Sequence, residues 1–291
     1  MKYGILNGLI VIEDLSEFDP KQIVESGQLF RYEKTPEGYI IFSKNLKCSL
    51  IYREGRVIMS TNNAAYFVDF FDLDRDYSGI KKSLSNHPYL KEAVAYGGGI
   101  RILSQDPAEM IFSFIISAYN NIPRIKKIIE RLCNALGEDM GGYRAFPSAE
   151  AFAKADVSFY RKAGLGLRAE RFKRAAETIA SGFSLDLSEM ETDEARKYLM
   201  RLPGVGRKVA DCALLFGYRR TDAFPTDVWI ERVYNKLFGE NTLTTKKKAE
   251  KLRETFGNLS GYAQQYLFYY IRETSGRKTS RENKKIVEEI K

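Results

Sequence analysis

The sequence predicts an α+β protein, with an antiparallel sheet domain over about 1–104 and a mainly helical domain over about 105–291. Three observations carry that prediction. Short runs rich in β-branched and aromatic residues crowd the first hundred positions. Near residue 105 the apolar spacing changes to the helical i, i+3, i+4 pattern. The charge divides at the same place: residues 1–100 hold 12 basic and 13 acidic side chains, residues 101–291 hold 34 and 25.

In the first part, Gly38–Ser43, Lys47–Tyr52 and Arg56–Ser60 read as strands, with Glu54-Gly55 as a tight hairpin turn between the last two. A helix or two complete this domain. Asp106 is then a good N-cap with Pro107 at the first helical position, and Met110–Ile116 reads as a buried helix. Pro123 opens the next helix, in which Ile125, Ile128, Ile129, Leu132 and Leu136 keep helical spacing and Gly137 is the stop. Further helices are expected at about 148–162, 168–181, 192–201, 207–217, 227–238, 246–256 and 260–273. The segment 275–291 carries six basic and three acidic residues and is either a final helix or a loose tail.

Composition narrows the class. With 44% hydrophobic and 29% charged residues the chain fits a globular protein with a substantial core. No run approaches 18 apolar residues, so a membrane span is not expected. The first twenty residues turn acidic at once, unlike a signal peptide. Cys48, Cys133 and Cys212 are scattered, with no CxxC pair, which fits a reduced cytoplasmic location and gives no disulfide framework. One histidine, His87, cannot build a zinc site of several imidazoles. A basic domain joined to a neutral one points to a polyanionic partner, although a merely solvated lysine-rich surface has the same composition.

The most informative segment is Leu202-Pro-Gly-Val-Gly-Arg-Lys-Val-Ala-Asp-Cys212. Gly204 and Gly206 permit a tight turn at a helix start, where uncovered N–H groups favour an anion such as a backbone phosphate. Lys208 falls in the first turn of that helix. There the helix dipole disfavours a protonated amine, and burial would do the same, as a nucleophilic lysine requires. Nineteen residues on, Phe224-Pro-Thr-Asp227-Val-Trp-Ile places Asp227 as a helix N-cap. Alone, Lys208 would be a surface lysine and Asp227 a structural cap; together they are far more specific.

That pair of segments resembles the helix–hairpin–helix DNA glycosylases that combine a lysine with a downstream aspartate, and most of all the 8-oxoguanine DNA glycosylase/lyase family. Ser26-Gly-Gln-Leu-Phe-Arg31, Gln105-Asp-Pro with Phe112-Ser-Phe-Ile115, Asn120-Asn-Ile-Pro-Arg124, Ile129-Glu-Arg-Leu-Cys133, Gly164-Leu-Gly-Leu-Arg168 and Tyr262-Ala-Gln-Gln-Tyr-Leu-Phe268 extend it. It runs in the same order from about residue 20 to 270.

The resemblance implies a bifunctional glycosylase and AP lyase that flips 8-oxoguanine out of duplex DNA. Lys208 would attack C1′ and form a Schiff base, and Asp227 would stabilise the positive charge developing on the sugar. The Gly27 carbonyl would accept the N7–H that distinguishes the lesion from guanine. Gln264 would read the Watson–Crick edge, and Phe268 and Cys212 would sandwich the base. Asn120, Arg124, Arg168, Leu167 and Tyr119 match positions that meet the DNA around the lesion. Gly204, Val205 and Gly206 would hold phosphate, with a monovalent cation at the Leu202 and Val205 carbonyls. Neither a catalytic metal nor an organic cofactor is implied. The partner is double-stranded DNA, the expected state a monomer.

The chain departs from the family at three places. Tyr119 stands where an asparagine is usual, Leu167 replaces an intruding tyrosine, and Trp229 replaces a phosphate-contacting histidine, so the preference for cytosine opposite the lesion is open. The iron–sulfur members of the superfamily need four close cysteines, which this chain lacks. The remaining alternatives are a glycosylase for another lesion and a non-catalytic protein that binds damaged DNA.

Overall fold

The structure, a computed structural model, describes residues 2–87, 90–226, 234–235 and 243–289, with side chains described to Thr274 except at position 245. The N-terminal part is a six-stranded antiparallel sheet: β1 (Tyr3–Leu6), β2 (Leu9–Ile12), β3 (Tyr32–Thr35), β4 (Gly38–Ser43), β5 (Leu46–Arg53) and β6 (Arg56–Thr61), in the spatial order β1-β2-β6-β5-β4-β3. The expected turn at Glu54-Gly55 is there. Both residues have positive φ (53° and 74°) and Arg53 pairs with Arg56, the mirror-type turn that suits right-handed strand twist. Asn7-Gly8 repeats the device between β1 and β2, with φ of 51° and 79°.

One face of this sheet is buried. Ile10, Ile12, Ile41, Leu50, Val57 and Met59 pack with Phe18, Ile23, Phe67, Phe70 and Phe71 from the 3₁₀ turn at 15–17, from α1 (Pro20–Val24) and from α2 (Ala64–Phe70) with its cap. A second core takes in nearly all the rest. It begins earlier in the chain than residue 104: Tyr77 and Leu84 of α3 (Tyr77–Ser85) and Ala93 and Val94 of α4 (Lys91–Tyr96) already belong to it, as does Phe30. Arg101 ties the segments together. It is fully buried, donates to the carbonyls of Phe71, Asp72, Arg75 and Glu17, and lies 3.9 Å from the Tyr77 ring centroid. Such partners are what a buried cation requires.

The helical domain follows the expected order. α5 (Pro107–Ser117) starts as its sequence dictates: Asp106 Oδ1 accepts the Glu109 amide at 2.9 Å and Pro107 opens the helix. Asn121 caps α6 (Ile122–Leu136), and Ile125, Ile128, Ile129 and Leu132 are its buried stripe. Gly137 ends α6 through close approach, since a Cβ there would stand 2.2 Å from the Ala145 carbonyl oxygen. The single helix expected at 148–162 is two: α7 (Ala149–Lys154), capped by Ser148, and α8 (Val157–Ala163), divided where Ala155 and Asp156 are both extended.

Then come α9 (Ala169–Ala180), α10 (Thr192–Leu199), α11 (Arg207–Gly217), α12 (Thr245–Phe256) and α13 (Ser260–Glu289). The expected final helix therefore continues through the basic segment to residue 289. The helix expected at 227–238 falls almost wholly outside the described residues. No helix among the described residues is long and apolar enough to cross a membrane.

Candidate active site

The hairpin between α10 and α11 holds the lysine. Gly204 has φ +85°, which favours glycine, and a Cβ there would meet the Arg171 Cβ at 3.2 Å. The Val205 amide closes the turn on the Leu202 carbonyl at 3.1 Å. Gly206 caps α11 with no side-chain hydrogen bond, which leaves first-turn amides open to an anion. The two helices are locked beneath by ions. Arg196 Nε donates to the buried Asp211 at 2.5 Å and its Nη1 pairs with Asp193, which also takes Arg253 from α12 at 3.0 Å. Burial pushes the Asp211 carboxyl upward against the opposing pull of Arg196.

The Asp193 carboxyl is held below the ordinary carboxylate range, because burial, which acts the other way, is outweighed by Arg196 and Arg253. A carboxylate depressed in the folded state contributes stability above its unfolded pKa and loses it as pH falls through the folded one. Asp193→Asn is therefore expected to destabilise the protein at neutral pH by under about 1 kcal/mol, since its carboxylate is largely in solvent. Chemical denaturation should show that deficit disappear below about pH 4; a deficit unchanged at low pH would mean the ion pairs are not its source.

Lys208 reaches back across α5. Its Nζ donates to Ser117 Oγ at 3.0 Å and lies 4.9 Å from the Phe114 ring centroid. Ser117 Oγ in turn donates to the Phe114 carbonyl at 2.7 Å, so its lone pairs are turned to the amine. One helical turn along α11, Cys212 is buried beside it. A cavity of about 50 Å³ lies here, lined by Gly27, Lys208, Cys212, Gln264 and Phe268 together with Phe114, Phe216, Pro225 and Gln265. The five residues singled out for catalysis and base recognition, apart from Asp227, thus surround one space. Asp227 and Trp229 lie outside the described residues, and Pro225 marks the chain two positions before Asp227.

Gly27 is held in place by its neighbours. Gln28 donates to the Arg101 carbonyl and accepts from the Leu103 amide. Gln105 Nε2 donates to the Gln28 carbonyl at 2.8 Å, while its own amide donates to the carbonyl of Phe216 in α11. Gln265 Nε2 donates to the Ser26 carbonyl at 3.1 Å. The carbonyls on either side of Gly27 are therefore engaged, and no hydrogen bond among the described residues uses that of Gly27 itself. Gln264 Oε1 is buried and also lacks a hydrogen-bond partner there. Unused acceptors on a cavity wall are positioned to take donors from a ligand.

A second group of predicted residues lies elsewhere on the surface. Tyr119 (φ +50°) and Leu167 project fully into solvent, at 107% and 101% relative exposure. Arg168 joins their two loops, donating from Nε to the Leu165 carbonyl and from Nη1 to that of Ala118. Arg124 donates to the Gly164 carbonyl at 3.4 Å. Asn120 is turned inward, its amide nitrogen 3.2 Å from the Ile116 carbonyl at the end of α5. A larger cavity, of about 570 Å³, opens between β3 and α6 beside Tyr32, Lys126 and Tyr143 and contains none of the candidate residues. Sequence reasoning missed Ser117 and Arg272, whose identities become meaningful only through contacts distant in the chain, and it gave Phe114 and Gln265 no role beyond their place in the resembling segments.

This fold, with an open-amide hairpin presenting a lysine to a small cavity, defines a helix–hairpin–helix protein of base-excision type. Residues 10–111 match the 8-oxoguanine DNA glycosylase N-terminal domain, and residues 112–258 match the HhH-GPD superfamily of base excision DNA repair proteins. The chain belongs to the 8-oxoguanine DNA glycosylase family of that superfamily. A probable N-glycosylase/DNA lyase of Methanothermobacter thermautotrophicus is 33% identical over 60% of this chain and 64% of its own, so the match spans a little under two thirds of that relative. MBOgg1, solved with a low-affinity DNA ligand, is 40% identical, covering 94% of this chain and 100% of its own with a TM-score of 0.88. The Clostridium acetobutylicum 8-oxoguanine glycosylase/lyase, solved with double-stranded DNA containing cytosine opposite the lesion, is 35% identical over 94% and 99%, also with a TM-score of 0.88.

Proposed function

We propose that the protein excises 8-oxoguanine from duplex DNA and then nicks the strand, with Lys208 as nucleophile. The observation that carries this reading is the convergence of Lys208, Cys212, Gly27, Gln264 and Phe268 on one cavity, with family membership supplying the reaction class. The Lys208 amine attacks C1′ and gives up a proton as the C–N bond forms, while the glycosidic bond breaks and its electron pair leaves with the base, which takes up a proton. Ring opening gives the Schiff base; loss of a C2′ proton then expels the 3′ phosphate. Asp227 is assigned the stabilisation of positive charge on the sugar.

The unused Gly27 carbonyl suits the N7–H of the lesion and repels the N7 lone pair of guanine. The Gln264 amide oxygen suits a donor on the guanine-type Watson–Crick edge. One such buried bond is worth roughly 1–3 kcal/mol, so neither alone gives strict discrimination. The amides of Gly204 and Gly206 and those of the first turn of α11 suit a phosphate, with Val205 between the glycines closing the turn that presents them. The Leu202 carbonyl, though bonded to Val205, keeps a second lone pair, so it and the Val205 carbonyl could hold a monovalent cation. The division of labour proposed at about residue 104 gives the sheet domain the task of presenting Gly27. A cytoplasmic, nucleoid-associated location fits a DNA substrate and three buried thiols.

Tyr119 and Leu167 are assigned the role of wedges in the base stack, with Arg124 and Arg168 facing the unpaired partner base. The double change Tyr119→Ala with Leu167→Ala is expected to weaken formation of the flipped state by about 1–3 kcal/mol. A 2-aminopurine reporter beside the lesion, with single-turnover excision, reads this; unchanged flipping would remove the wedge assignment. The function itself is tested by borohydride trapping on duplexes carrying 8-oxoguanine opposite each of the four bases. A covalent adduct is expected, and its yield across the four measures the preference left by Tyr119. Tight binding with no adduct on any duplex would favour a monofunctional glycosylase for another lesion.

A further inference from the structure

Gln265, Phe268 and Arg272 occupy one face of α13 at helical spacing, and all three engage the segment around Gly27. Gln265 holds the Ser26 carbonyl, and Arg272 Nη2 donates to the Glu25 carbonyl at 2.5 Å. Between them sits Phe268, whose Cε1 would be 3.0 Å from a Cβ on Gly27. The Arg272 guanidinium lies 5.4 Å from the Phe268 ring centroid and 5.6 Å from that of Tyr269, with Glu273 as counter-ion at 2.9 Å. Its Nη1 is buried, lacks a hydrogen-bond partner among the described residues, and would stand 3.2 Å from a Gly27 Cβ. A buried donor left unpaired costs free energy, so the guanidinium is held here by its cation–π contacts, its bond to the Glu25 carbonyl and its counter-ion.

We propose that Arg272 is a positioning residue for base excision: it sets the plane of Phe268 and its separation from Gly27, and so fixes the slot into which the flipped base slides. This rests on the reading above that Phe268 stacks on the base. At about 50 Å³ the slot is far smaller than the few hundred cubic ångströms of an ordinary ligand pocket. Entry of a purine must therefore displace a wall, and Phe268 is the wall backed by an arginine. Arginine suits the task because its planar group stacks on a ring while donating within its own plane; an ammonium cannot do both.

The test separates base recognition from sugar chemistry. Cleavage of a ready-made abasic site needs Lys208 but no base pocket. Arg272→Leu and Arg272→Lys should each slow single-turnover excision of 8-oxoguanine by roughly 10- to 100-fold, the scale of a misplaced reacting group. Cleavage and borohydride trapping on an abasic duplex should stay within a factor of about two of the parent, since neither uses the slot. Excision unchanged in Arg272→Leu would overturn the proposal. So would parallel loss of excision and abasic cleavage, or full rescue by lysine, each of which marks a role in holding α13. Excision by the parent protein is measured first, so failure there falls on the proposed function and not on Arg272.

Discussion

Lys208→Gln is expected to abolish both borohydride trapping and strand cleavage, lowering single-turnover excision by about 10⁴-fold or more, as loss of a nucleophile does. An amide nitrogen is not nucleophilic, so no Schiff base can form. The substitution is nonetheless mild for the fold: glutamine retains a donor that can turn toward Ser117, and Lys208 makes no ion pair among those described. DNA affinity, measured at fixed salt, should stay within about tenfold, because phosphate binding is proposed to reside in the hairpin amides and the basic surface. Loss of binding together with loss of chemistry would mean that Lys208 supports the hairpin. Persistence of the covalent adduct would move the nucleophile to another amine.

Local signals made much of this fold legible. Asp106 with Pro107 announces the start of α5, and Glu54-Gly55 announces a hairpin, because each acts on backbone only one to three residues away. Asn7-Gly8 is an equally strong turn signal, but its strands are short and β1 is largely exposed, so the apolar alternation that marks a strand is missing. The split between α7 and α8 escaped because alanine and aspartate at 155–156 do not forbid helix; the extended backbone there is a tertiary outcome.

In the site, Gly27, Gln264 and Phe268 are legible only through a resemblance in order and motif, whereas Lys208 is also marked locally, by its place in the first turn of a helix after the glycine turn. Ser117 and Arg272 carry no such mark. Their bonds join positions 91 and 247 residues apart, and only the folded chain brings those ends together. The same holds for the domain division. Composition shifts near residue 105, yet α3 and α4 pack with the helices, since a helix joins whichever core its apolar face meets.

Gly27→Ala should produce the second largest loss, and a selective one. The residue has φ +88°, where a side chain costs about 1–2 kcal/mol. The new methyl would also stand 3.0 Å from Phe268 Cε1 and 3.2 Å from Arg272 Nη1, so the ring must yield. With Gln265 and Arg272 fixing the flanking carbonyls, the loop has little freedom to retreat. A shift of a few tenths of an ångström in the ring narrows the slot proposed for the base, and the Gly27 carbonyl turns from the N7–H it is proposed to accept. Excision of 8-oxoguanine is expected to fall by about 100-fold. Cleavage of an abasic duplex should fall only a few-fold, because Ser117 still holds Lys208 on α11 and the sugar chemistry is untouched. Single-turnover rates on the two duplexes, with a melting curve for each variant, decide the matter. If both activities fall in proportion, the methyl has disturbed the whole cleft; if neither falls, the base does not approach Gly27 and recognition of the lesion must reside elsewhere on the cavity wall.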